Sequence, residues 1–317
     1  MSEATQPMRP QDLAPDLQGP AGKFPRLALH NIWILRLVRL ITRFGLFRSR
    51  ALPGVRHRDV KLSSAGVRVY EGNNSPSGIG LLWIHGGGMV LGSNRMDDRM
   101  CSRYVEQLGA VVCSVEYRLA PEHPYPAGLD DCHEAWMWML EQADSLGVDP
   151  SKLIIAGQSG GGCLAASLVQ RIHDEGGIQP AVQLLHCPML DDRTAADQAL
   201  DAIEHIGWTN RNNRTAWSWY LETDAGGESV PHGAVPARRT DLAGLPPAWI
   251  GIGDVDLFYG ESQAYAHRLR EAGVSVMMDV VADAPHGFEV FADDTALVRD
   301  YFTRHFASVR TLLDANC

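Results

Sequence analysis

Ser159 is enclosed by small residues, in Gly157-Gln158-Ser159-Gly160-Gly161, directly after the apolar run LIIA. A serine hydroxyl is a poor nucleophile near neutral pH, so a chain that uses one must supply a base and a carboxylate to orient that base. The last third of the chain holds both. Asp254 and Asp256 follow the run AWIGIG, and His286 follows VSVMMDVV, in the loop DAPHGF. A second glycine cluster, His85-Gly86-Gly87-Gly88, follows GLLWI, and its successive backbone amides are free to converge on an anion. Acyl transfer would use all of these: Ser159 attacks a carbonyl carbon, and the glycine-loop amides, with the N–H of Gly160 at a helix start, hold the oxyanion.

Other readings of the same residues compete. A glycine-rich turn between strand and helix can cradle phosphate, but the P-loop lysine and the G-x-G-x-x-G spacing are both absent. Alternatively, G-Q-S-G-G is a plain tight turn and the triple glycine a flexible loop. Both motifs follow strand-like runs in one chain, which favours the chemical reading. The order Ser, Asp, His is the one α/β-hydrolases use. Side chains alternate along an extended segment, so Asp254 and Asp256 face the same way and periodicity leaves both open. His85 reads as structural, held by local hydrogen bonds.

The elements that must position these residues are legible from Val55 onward. VRHRDVKLSS, VRVYEG, GLLWIH, AVVCSVEY, LIIAG, VQLLHCP, AWIGIG and VSVMMDVV read as strands; helices are predicted near 95–108, 127–145, 160–174, 258–272 and 294–314. Repeated βα alternation implies an α/β fold, a doubly wound, mostly parallel sheet with its functional loops at the carboxyl ends of the strands. Residues 193–240, rich in Trp, Asn, Arg and Gly, interrupt the alternation as a candidate lid. The expected organisation is an arm at 1–54, a catalytic domain at 55–192 and 241–317, and a cap insertion at 193–240.

Composition bounds the partners. A formal net charge of −10 opposes binding to a phosphate backbone, so no nucleic-acid partner is expected. The six cysteines are scattered, without C-x-x-C or a Cys/His zinc spacing, which fits reduced thiols and a cytoplasmic location and gives no metal site. The opening MSEATQPMRPQDLAPDLQGP lacks the basic and apolar regions of a secretory signal and reads as a frayed arm. From Leu17 through Arg58 there is no Asp or Glu, and residues 30–47 form an amphipathic pattern with Arg36, Arg39 and Arg43 opposite an apolar face. That face is expected to rest on the protein itself, an anionic membrane surface being the alternative.

In its motifs the chain resembles the hormone-sensitive-lipase-like family of α/β-hydrolases, the bacterial carboxylesterases carrying H-G-G-G. The likeness runs from about Val60 to the end through LLWIHGGGMVLGS, EYRLAPEHPYPAGLDD, GVDPSKLIIAGQSGGG, CPMLDD, TDLAGLPPAWIGIGDVDLF, AYAHRLREAGV and APHGFEVF, in the family's order. The resemblance implies an α/β-hydrolase fold with a helical cap built from the arm and the insertion. It implies Ser159 as nucleophile, Asp256 and His286 as its relay partners, and the amides of Gly87, Gly88 and Gly160 as the oxyanion hole. It further implies hydrolysis of small esters of short to medium acyl chain with no metal or organic cofactor, and it is compatible with a homodimer. An amidase or peptidase, and a ligand receptor on the same fold, are the rival functions. Four positions depart from the family: Gln158 where an acidic residue is usual, Gly160 where Ala is usual, Met89 for an aromatic and Leu257 for a proline.

Overall fold

In the computed structural model, which describes residues 7–23, 28–43, 50–74 and 76–315, the apolar runs become one eight-stranded sheet. The strands are β1 (Arg56–Lys61), β2 (Gly66–Glu71), β3 (Gly78–Ile84), β4 (Val111–Glu116), β5 (Val148–Gln158), β6 (Val182–His186), β7 (Ala248–Gly253) and β8 (Val276–Val281). Their order across the sheet is β1-β2-β4-β3-β5-β6-β7-β8. β1 and β2 pair antiparallel with their neighbours, and every pairing from β4 to β8 is parallel. The inner strands are almost wholly apolar because helices cover both faces, which excludes a polar side.

The helices are α1 (Pro15–Lys23), α2 (Ile32–Arg43), α3 (Asp98–Leu108), α4 (Ala127–Glu141), α5 (Ala143–Leu146), α6 (Gly160–Asp174), α7 (Asp192–Ala196), α8 (Asn210–Leu221), α9 (Tyr259–Glu271), α10 (Phe288–Phe291) and α11 (Ala296–Asp314). Alternation along β3 divides the core. Leu81 and Trp83 pack with Tyr104 of α3 and Phe302 and Phe306 of α11. Leu82 and Ile84 pack with Trp136 of α4, Leu168 of α6 and Leu269 of α9. The single helix expected over 127–145 is two, because Gln142 leaves helical geometry between α4 and α5 (φ −95°, ψ 7°).

The topology decides where the loops meet. From β3 the chain steps to β4 on one side and then returns to β5 on the other, so β3 and β5 flank a switch point whose carboxyl-end crevice is the usual ligand site. Ile84 at the end of β3 pairs in register with Gly157 of β5, which sets the His85–Gly88 loop beside Ser159.

Two expectations for the arm need correction. The stretch read as frayed is ordered where described: α1 buries Leu17 and Ala21, Asp16 accepts a hydrogen bond from the Leu297 N–H, and the Met8 N–H donates to the Ile203 carbonyl. Its Pro and Gly content argues against a helix, and tertiary packing overrides that weak propensity. The amphipathic pattern over 30–47 forms α2, its last residues 44–47 lying outside the described ones. Leu35 and Val38 enter the core, whereas Trp33 (71%), Leu37 (55%) and Leu40 (53%) are exposed. Arg39, expected on the solvent side, turns inward to the carbonyls of Val90 and Ala120 and the carboxylate of Glu122. Among the described residues, no helix is long and apolar enough to cross a membrane.

Candidate active site

Ser159 occupies the corner between β5 and α6 with φ 54° and ψ −120°, a conformation L-residues adopt only under constraint. The constraint is the approach of α6 to the sheet: a Cβ on Gly161 would lie 2.1 Å from the Ile84 carbonyl oxygen. Glycine is therefore required there. The Ser159 N–H donates to the His186 carbonyl at 2.9 Å, which pins the turn to β6.

The hydroxyl has a partner. His286 Nε2 lies 2.9 Å from Ser159 Oγ, and His286 Nδ1 lies 2.9 Å from Asp256 Oδ2. The other Asp256 oxygen, Oδ1, accepts from the Phe258 N–H at 2.8 Å, so the carboxylate cannot swing away from the imidazole. Asp254 does not reach the ring; its Oδ1 accepts from the Asp283 N–H at 2.7 Å, tying the loop after β7 to the loop after β8. Periodicity left both aspartates open, and the structure brings Asp256 alone of the two to His286. Burial pulls the His286 pKa down, but the charges of Asp256 and Glu289 and the bond to Asp256 outweigh it, and the net shift is upward.

The glycine loop closes over Ser159. Gly87 and Gly88 have φ of 108° and 60°, and a Cβ on Gly160 would lie 2.7 Å from the backbone nitrogens of both Gly88 and Met89. Gly160, where the resembled family usually has Ala, thus lets the two loops approach closely. The Met89 amide, which the sequence reading did not single out, joins the candidate donors. His85 is buried, stacked on Tyr117 with ring centroids 4.2 Å apart, and its Nδ1 sits 2.8 Å from the Gly86 carbonyl. Burial lowers its pKa to about 4, as suits a neutral structural ring.

Gly207 and Trp208, between α7 and α8, lie against the site. Trp208 packs so tightly on the loop that a Cβ on Gly88 would lie 2.6 Å from its ring, and Gly207 abuts the His286 carbonyl. Nothing in sequence periodicity marks Trp208, although a tryptophan beside a glycine in the interrupting segment is the cue that could have found it. Ligand atoms of Cys187, Asp256 and His286 lie within 4.8 Å of one another, the spacing of a metal trio. The carboxylate and imidazole are already bonded to each other, and burial pushes the Cys187 thiol well above its ordinary value, so the trio is built for hydrogen bonding. A separate cavity of about 890 Å³, lined by Asp130, Arg171, Asp174 and Arg239 among others, holds none of these groups, and its two arginines named here are paired with carboxylates.

Comparisons with known proteins identify the family and the fold. Residues 81–290 match the alpha/beta hydrolase fold family Abhydrolase_3. Carboxylesterase NlhH of Mycobacterium tuberculosis is 34% identical over 240 residues, 74% of each chain. Ethyl acetate hydrolase of Pseudomonas putida is 31% identical over 231 residues, 70% of each chain. Among solved structures, a bacterial heroin esterase superposes with a TM-score of 0.86 at 30% identity, covering 96% of this chain and 98% of its own. Esterase LipW of Mycobacterium marinum gives 0.82 at 30% identity, covering 98% and 99%.

Proposed function

Because the chain belongs to the hormone-sensitive-lipase-like family of α/β-hydrolases and is a carboxylesterase, we propose that Ser159, His286 and Asp256 are its catalytic residues. The observation that carries the assignment is the continuous relay from Asp256 Oδ2 through His286 to Ser159 Oγ, both contacts being 2.9 Å. His286 Nε2 takes the hydroxyl proton as Ser159 Oγ bonds to the ester carbonyl carbon. The resulting oxyanion is held by amides drawn from Gly87, Gly88 and Gly160, with that of Met89 beside them. The tetrahedral intermediate collapses, the C–O bond to the alcohol breaks, and the alcohol leaves with the proton from His286. Water then repeats the sequence on the acyl-enzyme, releasing the acid and restoring the serine.

Residues 1–54 and 193–240 act together as the cap over a catalytic domain of 55–192 and 241–317. Support comes from the bond between Met8 and Ile203, the Arg39 contacts behind the glycine loop, and the seat of Trp208 on Gly88. A roof this close favours short to medium acyl chains, and a relative named ethyl acetate hydrolase is in keeping with that. Among the described residues five cysteines are buried and free, which supports a reducing, cytoplasmic setting. Nitrophenyl esters of increasing acyl length test the function. Turnover should be highest at the short end, and Ser159→Ala should reduce it by roughly 10⁴-fold or more with the melting temperature retained. Undiminished turnover in that variant would move the nucleophile elsewhere.

A further inference from the structure

Gln158 ends β5 one residue before Ser159, and Glu289 lies on α10 three residues after His286. Across 131 positions of sequence, Gln158 Nε2 donates to Glu289 Oε1 at 2.6 Å. The other end of the same amide faces the glycine loop, where a Cβ on Gly86 would lie 3.1 Å from Gln158 Oε1. Gln158 is thus wedged between the loop that carries the oxyanion donors and the helix that follows the base.

Glu289 is not where simple partitioning would put it. The acid is 1% exposed while its neighbour Val290 is 50% exposed, the reverse of the usual ordering of carboxyl and aliphatic groups. Its Oε1 also receives the Cys187 thiol at 3.5 Å, but its buried Oε2 has no hydrogen-bond partner among the described residues. Such burial is destabilising and persists where another demand outweighs it.

Resting on the assignment of Ser159 and His286 as the reacting pair, we infer that Gln158 and Glu289 form a positioning bridge that locks the serine turn to the histidine loop. One end of the bridge adjoins Ser159 and the other lies three residues beyond His286, so its loss lets the 2.9 Å contact between Ser159 Oγ and His286 Nε2 lengthen. An amide suits position 158 beside a buried carboxyl. Two carboxyls at 2.6 Å would have to share one proton, whereas an amide can donate.

The carboxyl has a second effect, through charge. Burial raises the Glu289 pKa, and its charge in turn adds to that of Asp256 in raising His286. The other groups facing Glu289 are Asp97, Tyr104 on α3, Cys187 and Tyr301 on α11; His205 joins Asp256 in facing His286. Among the described residues, none of the groups facing Glu289 apart from His286 can carry positive charge, so neutralising Glu289 should make His286 easier to deprotonate.

The test measures kcat, KM and melting temperature on p-nitrophenyl acetate for the full chain. Gln158→Ala and Glu289→Ala should each lower kcat roughly 10- to 100-fold with KM nearly unchanged, the scale of a small misplacement of reacting groups. The double variant should be no slower than the slower single, because both remove one interaction. Glu289→Gln, which keeps the acceptor and loses the charge, should recover most of kcat and move the acid limb of kcat/KM to lower pH. Additive losses, or failure of Glu289→Gln to recover kcat with the pH limb unmoved, would overturn the bridge. Should Glu289→Ala not fold, Gln158→Met removes the donor at similar length, and an unaltered kcat there overturns it equally. Ser159→Ala run alongside separates the two levels: if it stays active the site assignment fails, and if it is inactive while the bridge variants are normal, this inference alone fails.

Discussion

Asp256→Asn is the most discriminating single substitution, because the structure dictates which way the new amide must face. Asp256 Oδ1 accepts the Phe258 N–H at 2.8 Å, and asparagine can keep that bond only by placing its oxygen there. Its NH₂ then points at His286 Nδ1, where the carboxylate oxygen lay 2.9 Å away. A donor facing Nδ1 makes that nitrogen an acceptor and puts the ring proton on Nε2. Nε2 now cannot take the Ser159 proton. The wrong tautomer costs a triad enzyme about 10⁴-fold in kcat, which at 1.36 kcal/mol per decade is about 5.4 kcal/mol of barrier. Asp254→Asn is the internal control: asparagine retains an oxygen for the Asp283 N–H, so turnover should stay within roughly 3-fold and any loss should appear as melting temperature, on the scale of one hydrogen bond. The assay is kcat on p-nitrophenyl acetate with thermal melts of both purified variants. A well-folded Asp256→Asn within tenfold of the parent would refute the tautomer argument, and an inactive, folded Asp254→Asn would reverse the assignment.

The pH profile follows from the charge around His286. The ring must be neutral to accept a proton, so activity is present above its folded pKa and is lost as pH falls through it; with that pKa raised, the acid limb of kcat/KM should have its midpoint above the ordinary 6.5. A midpoint below 6.5, or a flat profile from about pH 5 to 9 on the histidine range, would remove this imidazole from the rate equation. Trp208→Ala should open the space over Gly88 and shift preference toward longer acyl chains, read as the ratio of kcat/KM for octanoate and acetate esters of nitrophenol; an unchanged ratio would place the acyl pocket elsewhere.

By itself the sequence determined the strand and helix alternation, the serine turn, the glycine loop and the histidine loop. These are local: an apolar run, a glycine that must turn, a residue at a strand end are written within a few positions, and the order of motifs then points to an α/β-hydrolase. All eight expected strands are present, with β5 longer than the LIIAG run. What local pattern could not decide was every contact set by chain segments far apart. Asp254 and Asp256 are equivalent by alternation, and only the packing of the β7 loop against the β8 loop sends one to His286 and the other to the Asp283 amide. Helix α1 forms in a Pro- and Gly-bearing stretch because Leu17 finds a core to enter, not because its residues favour a helix. Arg39 looked like a solvent residue on an amphipathic wheel, yet the carbonyls of Val90 and Ala120 wait on the other side. Gln158 stands out in its motif as a departure from the resembled family, but nothing in either motif links it to Glu289, 131 residues away; their bond exists because the β3-β5-β6-β7-β8 sheet carries the serine turn and the histidine loop to one edge. Hydrophobic periodicity encodes which face is buried, and it carries no information about which distant polar atom that face will meet.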